Sequence, residues 1–188
     1  MAIDRIQKVK NPTLFDRVIV SAEDSLAEAL PWLNHVFGRC ERLVKEVNGM
    51  RRFTPAWYLG HNEYVGLLPD DTLGNFCFFN IDDPTEIQWA RGERNRLTAT
   101  YSLILWVDMR TVEDDDSRNR EAVKEQVLKV LNGGLRLRNG HLSVSTIYER
   151  SENVYSGFTT DEVDNQFMMS PFAAFRFEGV VMIDESCY

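Results

Sequence analysis

The spacing of apolar residues changes several times along this chain, and each change predicts a different element. Leu26, Leu30, Leu33, Phe37, Cys40, Val44 and Val47 recur at steps of three or four, which predicts an amphipathic helix over residues 25–47 with one buried stripe. Ser25 with Glu28 offers a capping box at its start, and Asn48-Gly49 a stop at its end. Pro31 interrupts the stripe, so it marks either the first turn of the main helix or a kink in a longer one. On this reading residues 1–20 are an N-terminal extension.

From residue 50 to about 87 the pattern shortens to "RRFTPAWYLG", "EYVGLLP" and "NFCFFNI", separated by Gly, Pro, Asn and Asp, as expected of strands and turns. "TATYSLILWVDM" is apolar on both faces from Leu103 to Val107 and reads as a central strand. A second helix follows in "NREAVKEQVLKVLNGG". Val123, Val127, Val130 and Leu131 line one side of it, Asp114, Asp115, Asp116 and Ser117 stand at its N-terminus, and Gly133-Gly134 stops it. "LSVSTIYER" alternates as a strand, and "SENVYSGFTTDEVDNQFMMS" reads as a long polar and aromatic loop. "SPFAAFRFEGVVMID" closes the domain as a strand, leaving residues 184–188 as a frayed tail.

In that closing strand Phe175, Phe177, Gly179, Val181 and Ile183 make one apolar face. The other face begins charged at Arg176 and Glu178 and turns apolar at Val180 and Met182. The element order predicts one α+β domain over residues 1–188, with a single mostly antiparallel sheet and helices packed on one face. The opposite face, carrying Ile104, Trp106, Val180 and Met182, is then expected to be buried either under a helix or against another subunit.

At 188 residues with 44% hydrophobic residues, the chain is long enough to bury a full core. A net charge of −8 confines any nucleic-acid contact to a local patch and disfavours a general DNA binder. Three cysteines, Cys40, Cys77 and Cys187, without short spacings, fit a reducing compartment rather than a disulfide framework. No signal-peptide core interrupts the charged N-terminus, and no apolar run reaches membrane-spanning length, so a soluble protein is expected.

The chemistry-bearing residues are dispersed. His35, His61 and His141 have no second ligand at metal spacing, Cys40 and Cys77 sit in apolar surroundings, and "EDDD" at residues 113–116 lacks the ligand pattern of a calcium loop. Asp70, Asp71, Asp82 and Asp83 are the acids a metal-dependent nuclease would use, yet all four read as turn residues. No catalytic residue, metal or cofactor is therefore predicted.

The order "YSLILWVDM", charged turn, "NREAVKEQVLKVL", strand, long loop and "PFAAFRFEGVV" resembles the second half of bacteriophage tail terminator or tail-completion proteins. Pro171, Phe172, Phe175, Arg176 and Phe177 stand in that family's closing-strand pattern, and the resemblance covers residues 97–184. It implies a noncatalytic homo-oligomer, usually a ring of six copies, that caps the tail tube and meets head-completion proteins. The protein would then be found in the host cytoplasm during assembly and afterwards in the virion. Two segments are the expected assembly interface: a basic tip with Arg91, Arg94 and Arg96, and the aromatic loop with Tyr155, Phe158, Phe167, Met168 and Met169. With the net charge acidic, a protein partner is expected at the arginines rather than nucleic acid or a membrane. The alternative is an interaction module of another multiprotein assembly.

Overall fold

The computed structural model describes residues 3–82, 85–88, 95–112, 119–132 and 140–185. A two-residue strand, β1 (Ile6–Gln7), precedes helix α1 (Phe15–Ala29). Phe15, Val18, Ile19, Ala22 and Leu26 fall at helical steps along α1, and all are buried. The first helix thus begins ten residues earlier than its apolar spacing suggested, and Phe15, Val18 and Ile19 belong to the core rather than to an extension. Pro31 explains where it stops. The residue before a proline is pushed out of the α region, and Leu30 sits at φ −119° and ψ 80°.

Beyond Pro31 the predicted helix is replaced by strands β2 (His35–Arg39), β3 (Glu41–Val47) and β4 (Met50–Gly60). Asn48-Gly49 is a hairpin turn between β3 and β4, not a helix stop. Both residues have positive φ, 52° and 75°, as a two-residue type I′ connection requires. Ser25 lies inside α1 with its hydroxyl donating to the Ser21 carbonyl, so it caps nothing. The remaining elements are β5 (Glu63–Gly66), β6 (Phe76–Ile81), β7 (Glu86–Gln88), β8 (Asn95–Asp108), α2 (Arg120–Asn132), β9 (Gly140–Tyr148), α3 (Ser151–Val154) and β10 (Phe172–Glu185). Asn119 caps α2, accepting from the amides of Glu121 and Ala122. Its expected start and stop signals, residues 114–117 and 133–134, lie outside the described residues.

The fold is α+β. The main sheet runs β1-β2-β6-β8-β10-β9, with β7 also paired to β8; β1, β2 and β6 are parallel and the other pairings antiparallel. Strand β8 is central, as its double-sided apolar run requires. The single-sheet expectation needs correction: β3, β4 and β5 form a second, three-stranded antiparallel sheet. Two tight turns, Asn48-Gly49 and His61-Asn62, fold it locally as consecutive hairpins.

The two faces of the main sheet are covered differently. Tyr101, Leu103, Leu105 and Val107 of β8 join Phe175, Phe177, Val181 and Ile183 of β10 in a core with α1 and α2. On the other face Phe37, Phe76, Phe78, Ile104 and Trp106 pack with Trp57 of β4 and with Leu67, Leu73, Val154 and Tyr155. Neither a long helix nor a second subunit is needed there. The small sheet and the segment after β9, including the one-turn helix α3, supply the cover. Helices on a single face therefore describes α1 and α2 alone. Val180 and Met182, expected on the buried patch, lie beyond this cover and are half-buried.

A β-bulge sets the register of β9. Between Glu178 and Gly179 the pairing shifts, so that Val144 and Ile147, three residues apart, both align with the helix-side face of β10. Gly179 permits the close approach: a Cβ there would overlap the Ser143 carbonyl oxygen and stand 2.7 Å from its carbon.

Candidate assembly surfaces and a buried charge network

The boundary between the aromatic core and the open end of the sheet is held by Arg176. It is 5% exposed, and β10 places it opposite Ile104 of β8 and Tyr148 of β9. Its Nη2 lies 2.8 Å from Asp82 Oδ1 and its Nε 3.3 Å from Glu178 Oε2, while Nη1 donates to the Ser156 carbonyl at 3.2 Å. Asn80 Nδ2 also donates to Asp82 Oδ1, at 2.6 Å. Removing such charges from water is costly, and the contacts to Asp82, Glu178 and Ser156 offset that cost while fixing the aromatic segment to the sheet.

Beside this network opens a cleft of about 770 Å³, whose lining includes Asp16, Arg39, Cys40, Arg42, Asp82 and Arg176. Burial, and next the charge of Asp82, push the Cys40 thiol up to about 12, so it stays neutral at ordinary pH. Its Sγ donates to Asn80 Oδ1 at 3.7 Å. The inert character expected of Cys40 thus follows from a strand-end position and not from a helical stripe. Cys77 on β6 is buried and its pKa is likewise raised.

Glu23 of α1 is fully buried with neither carboxylate oxygen hydrogen-bonded. Burial pushes its pKa up to about 8, opposed by Lys8 and reinforced by Asp24 and Asp16. It occupies the space above Gly38, where a Cβ would overlap Glu23 Oε1.

The expected interface residues have separate fates. Arg91 and Arg94 lie outside the described residues. Arg96 pairs with Asp184 at 2.9 Å across the β8–β10 ladder, which raises its pKa further. Tyr155 is 2% exposed and therefore belongs to the core, a correction to its placement at an assembly surface. Phe158 meets Phe78 edge-on at 6.2 Å, and Phe167 meets Trp106 at 6.1 Å, with Met168 packed against the same cluster. Only Met169 of that group is largely exposed, at 63%. The aromatic loop is mainly an internal cover because its rings face Trp106, whose Nε1 also donates to the Phe167 carbonyl at 2.8 Å.

The larger apolar exposure falls on the small sheet. Val44 and Met50 are exposed by 59% and 61%, and Tyr58 and Tyr64 contact each other across β4 and β5 with centroids 5.0 Å apart. Reading Asn48-Gly49 as a hairpin turn would have located it. The acids considered for a nuclease do not converge: Asp70 accepts from the Thr72 amide and hydroxyl, Asp71 is exposed, Asp82 is held by Arg176, and Asp83 is outside the described residues. Among the described residues no three His, Cys, Asp or Glu side chains are grouped to hold a metal ion. His35 stands on β2, not on a helix, with Nδ1 3.1 Å from the Asp4 carbonyl oxygen. No described helix is long and apolar enough to cross a membrane.

Among the described residues the small sheet ends in β3 and β5 and the main sheet in β1 and β9, with β7 a short edge beside β8. The longest of these edge strands are β9, with nine residues, and β3, with seven. Compared with models of protein families and with curated protein sequences, the chain matches none.

Proposed function

We propose that the chain is a noncatalytic phage or prophage assembly protein that self-associates into a ring and caps the tail tube where the head attaches. The resemblance supplies the biological setting, and the edge of β9 is the observation that carries the assembly reading. Its nine residues, "GHLSVSTIY", contain no Lys, Arg, Asp, Glu or Pro, the residues that usually keep an exposed strand edge from pairing. A long edge at one end of the sheet, with the two-residue β1 at the other, favours unlike surfaces meeting head to tail. Repeated contacts of that kind close into a ring when their rotation permits.

Light scattering and electron microscopy of the purified protein, followed by tail completion in an extract lacking it, test the reading. Rings that restore tails are expected. A monomer at every concentration overturns self-assembly, and rings that never complete tails transfer the protein to another multiprotein assembly.

A further inference from the structure

We propose that the β3–β4 hairpin is a docking arm, and that it seats on the acidic segment 151–170 of a second copy of this chain. This rests on the self-assembly reading and names the surfaces that would meet. Only the inner half of β4 is anchored: Ala56 and Trp57 are buried, whereas Arg42, Val44, Lys45, Glu46, Met50 and Arg51 are exposed. Val44 and Met50 lie on opposite sides of the ladder, so the arm offers an apolar residue on each side.

Charge identifies the partner. Residues 41–53 carry four cations against two carboxylates, a net +2 within a chain of net −8, so the remainder carries −10. Residues 151–170 carry Glu152, Asp161, Glu162 and Asp164 and no Lys, Arg or His, a net −4. All four of these acids are exposed.

The fold already displays this complementarity at the base of the arm. Arg52 pairs with Asp161 at 2.8 Å and with Glu162, while the Phe53 amide donates to Thr159 Oγ1 and the Thr159 amide to the Phe53 carbonyl. Farther out the match is left open within one copy. Among the described residues, Lys45 and Arg51 have no ion-pair partner. Glu152, at the start of the segment, likewise has no ion-pair partner among the described residues. Beyond the base that the two share, each copy therefore presents basic residues on the arm and an acidic residue on the segment that it does not pair itself, and head-to-tail contact satisfies both.

The test is a charge exchange read by light scattering. One variant carries Lys45→Glu and Arg51→Glu. The other carries Glu152→Lys and Glu162→Lys, which leaves the Asp161 contact to Arg52 in place. Each alone is expected to self-associate at least tenfold more weakly than the parent, because the first makes the arm negative like the seat and the second brings the seat's net charge from −4 to zero; mixing the two should restore assembly. If the parent assembles and either variant alone assembles equally well, the arm is overturned while the assembly reading stands. Failure of the mixture to recover, with both variants folded by circular dichroism, overturns the pairing of arm with seat. A parent that stays monomeric at every concentration overturns both readings. Should a variant misfold, Lys45→Gln with Arg51→Gln and a salt titration of the parent take its place; tenfold weakening by either supports the arm, and indifference to both rejects it.

Discussion

The two faces of the main sheet bury charge in opposite ways. Beneath α1, Glu23 is enclosed with no hydrogen-bond partner and its pKa is raised to about 8, so at moderate pH it is held as a neutral acid. On the other face Arg176 is enclosed with Asp82, Glu178 and the Ser156 carbonyl around it. A helix covers its face with apolar side chains and leaves a stray carboxyl only the option of neutrality. An irregular segment brings backbone carbonyls with it, and a buried guanidinium is a suitable donor for them. The difference is one of cover: regular structure satisfies its own backbone, and irregular structure must find partners.

Four measurements would break or sharpen that contrast. Trp106→Ala should destabilise by roughly 3 to 5 kcal/mol, the usual loss for a buried large aromatic. Its ring stacks on Phe172 at 4.9 Å and its Nε1 ties down Phe167. Chemical denaturation beside Leu105→Ala, its neighbour on the helix face, compares the covers directly. A loss below 1 kcal/mol for Trp106 would mean that the irregular cover contributes little.

Next in size is Arg176→Met, expected to cost about 3 kcal/mol because it leaves Asp82 without its cation. Adding Asp82→Asn should recover part of that loss in urea titrations. No recovery would show that the arginine acts through Ser156 and Glu178 instead.

Glu23 gives the corresponding test beneath α1. Its folded pKa is raised above the unfolded value, so its contribution is fully present below about pH 4.5 and is lost as the pH rises toward 8. Glu23→Gln removes that dependence. From pH 4 to pH 9 the variant should gain steadily on the parent, because each unit by which the Glu23 pKa is raised is worth about 1.4 kcal/mol. Parallel stability curves across this range would place the carboxylate in contact with water.

The smallest effect is expected beyond the cover. Val180→Thr with Met182→Thr, both at half-buried positions, should change stability by less than about 1 kcal/mol. A larger loss in the purified protein, growing with its concentration, would reveal that another copy protects this end.

The C-terminal half of the fold was legible because its signals are local. The run from Leu103 to Val107 is apolar on both faces, and Val123, Val127 and Leu131 keep helical spacing, so β8 and α2 stand where the pattern puts them. The first half misleads for a physical reason. Leu26 to Val47 shows intervals of three and four, but those intervals also arise when a helix end, a turn and two strands each contribute buried positions. Pro31 and Asn48-Gly49 were the deciding cues, since one ends a helix and the other closes a hairpin. The cover over Trp106 was not legible at all. Val154 and Tyr155 meet Trp57 and Phe78 only after a long separation along the chain, and nothing in the aromatic loop distinguishes rings that face inward from rings that face a partner.

Gly179 has a consequence for how this protein can vary. Because even a methyl group there would collide with the Ser143 backbone, a library randomised at this codon and selected for folded protein should return glycine almost exclusively. Deleting Ser145 should be informative in a different way. It would remove the extra residue of the bulge, straighten the ladder and make Gly179 replaceable, turning an invariant position into a permissive one. The two sites form a single hereditary unit: what lineage may write at one depends on how many residues it keeps at the other.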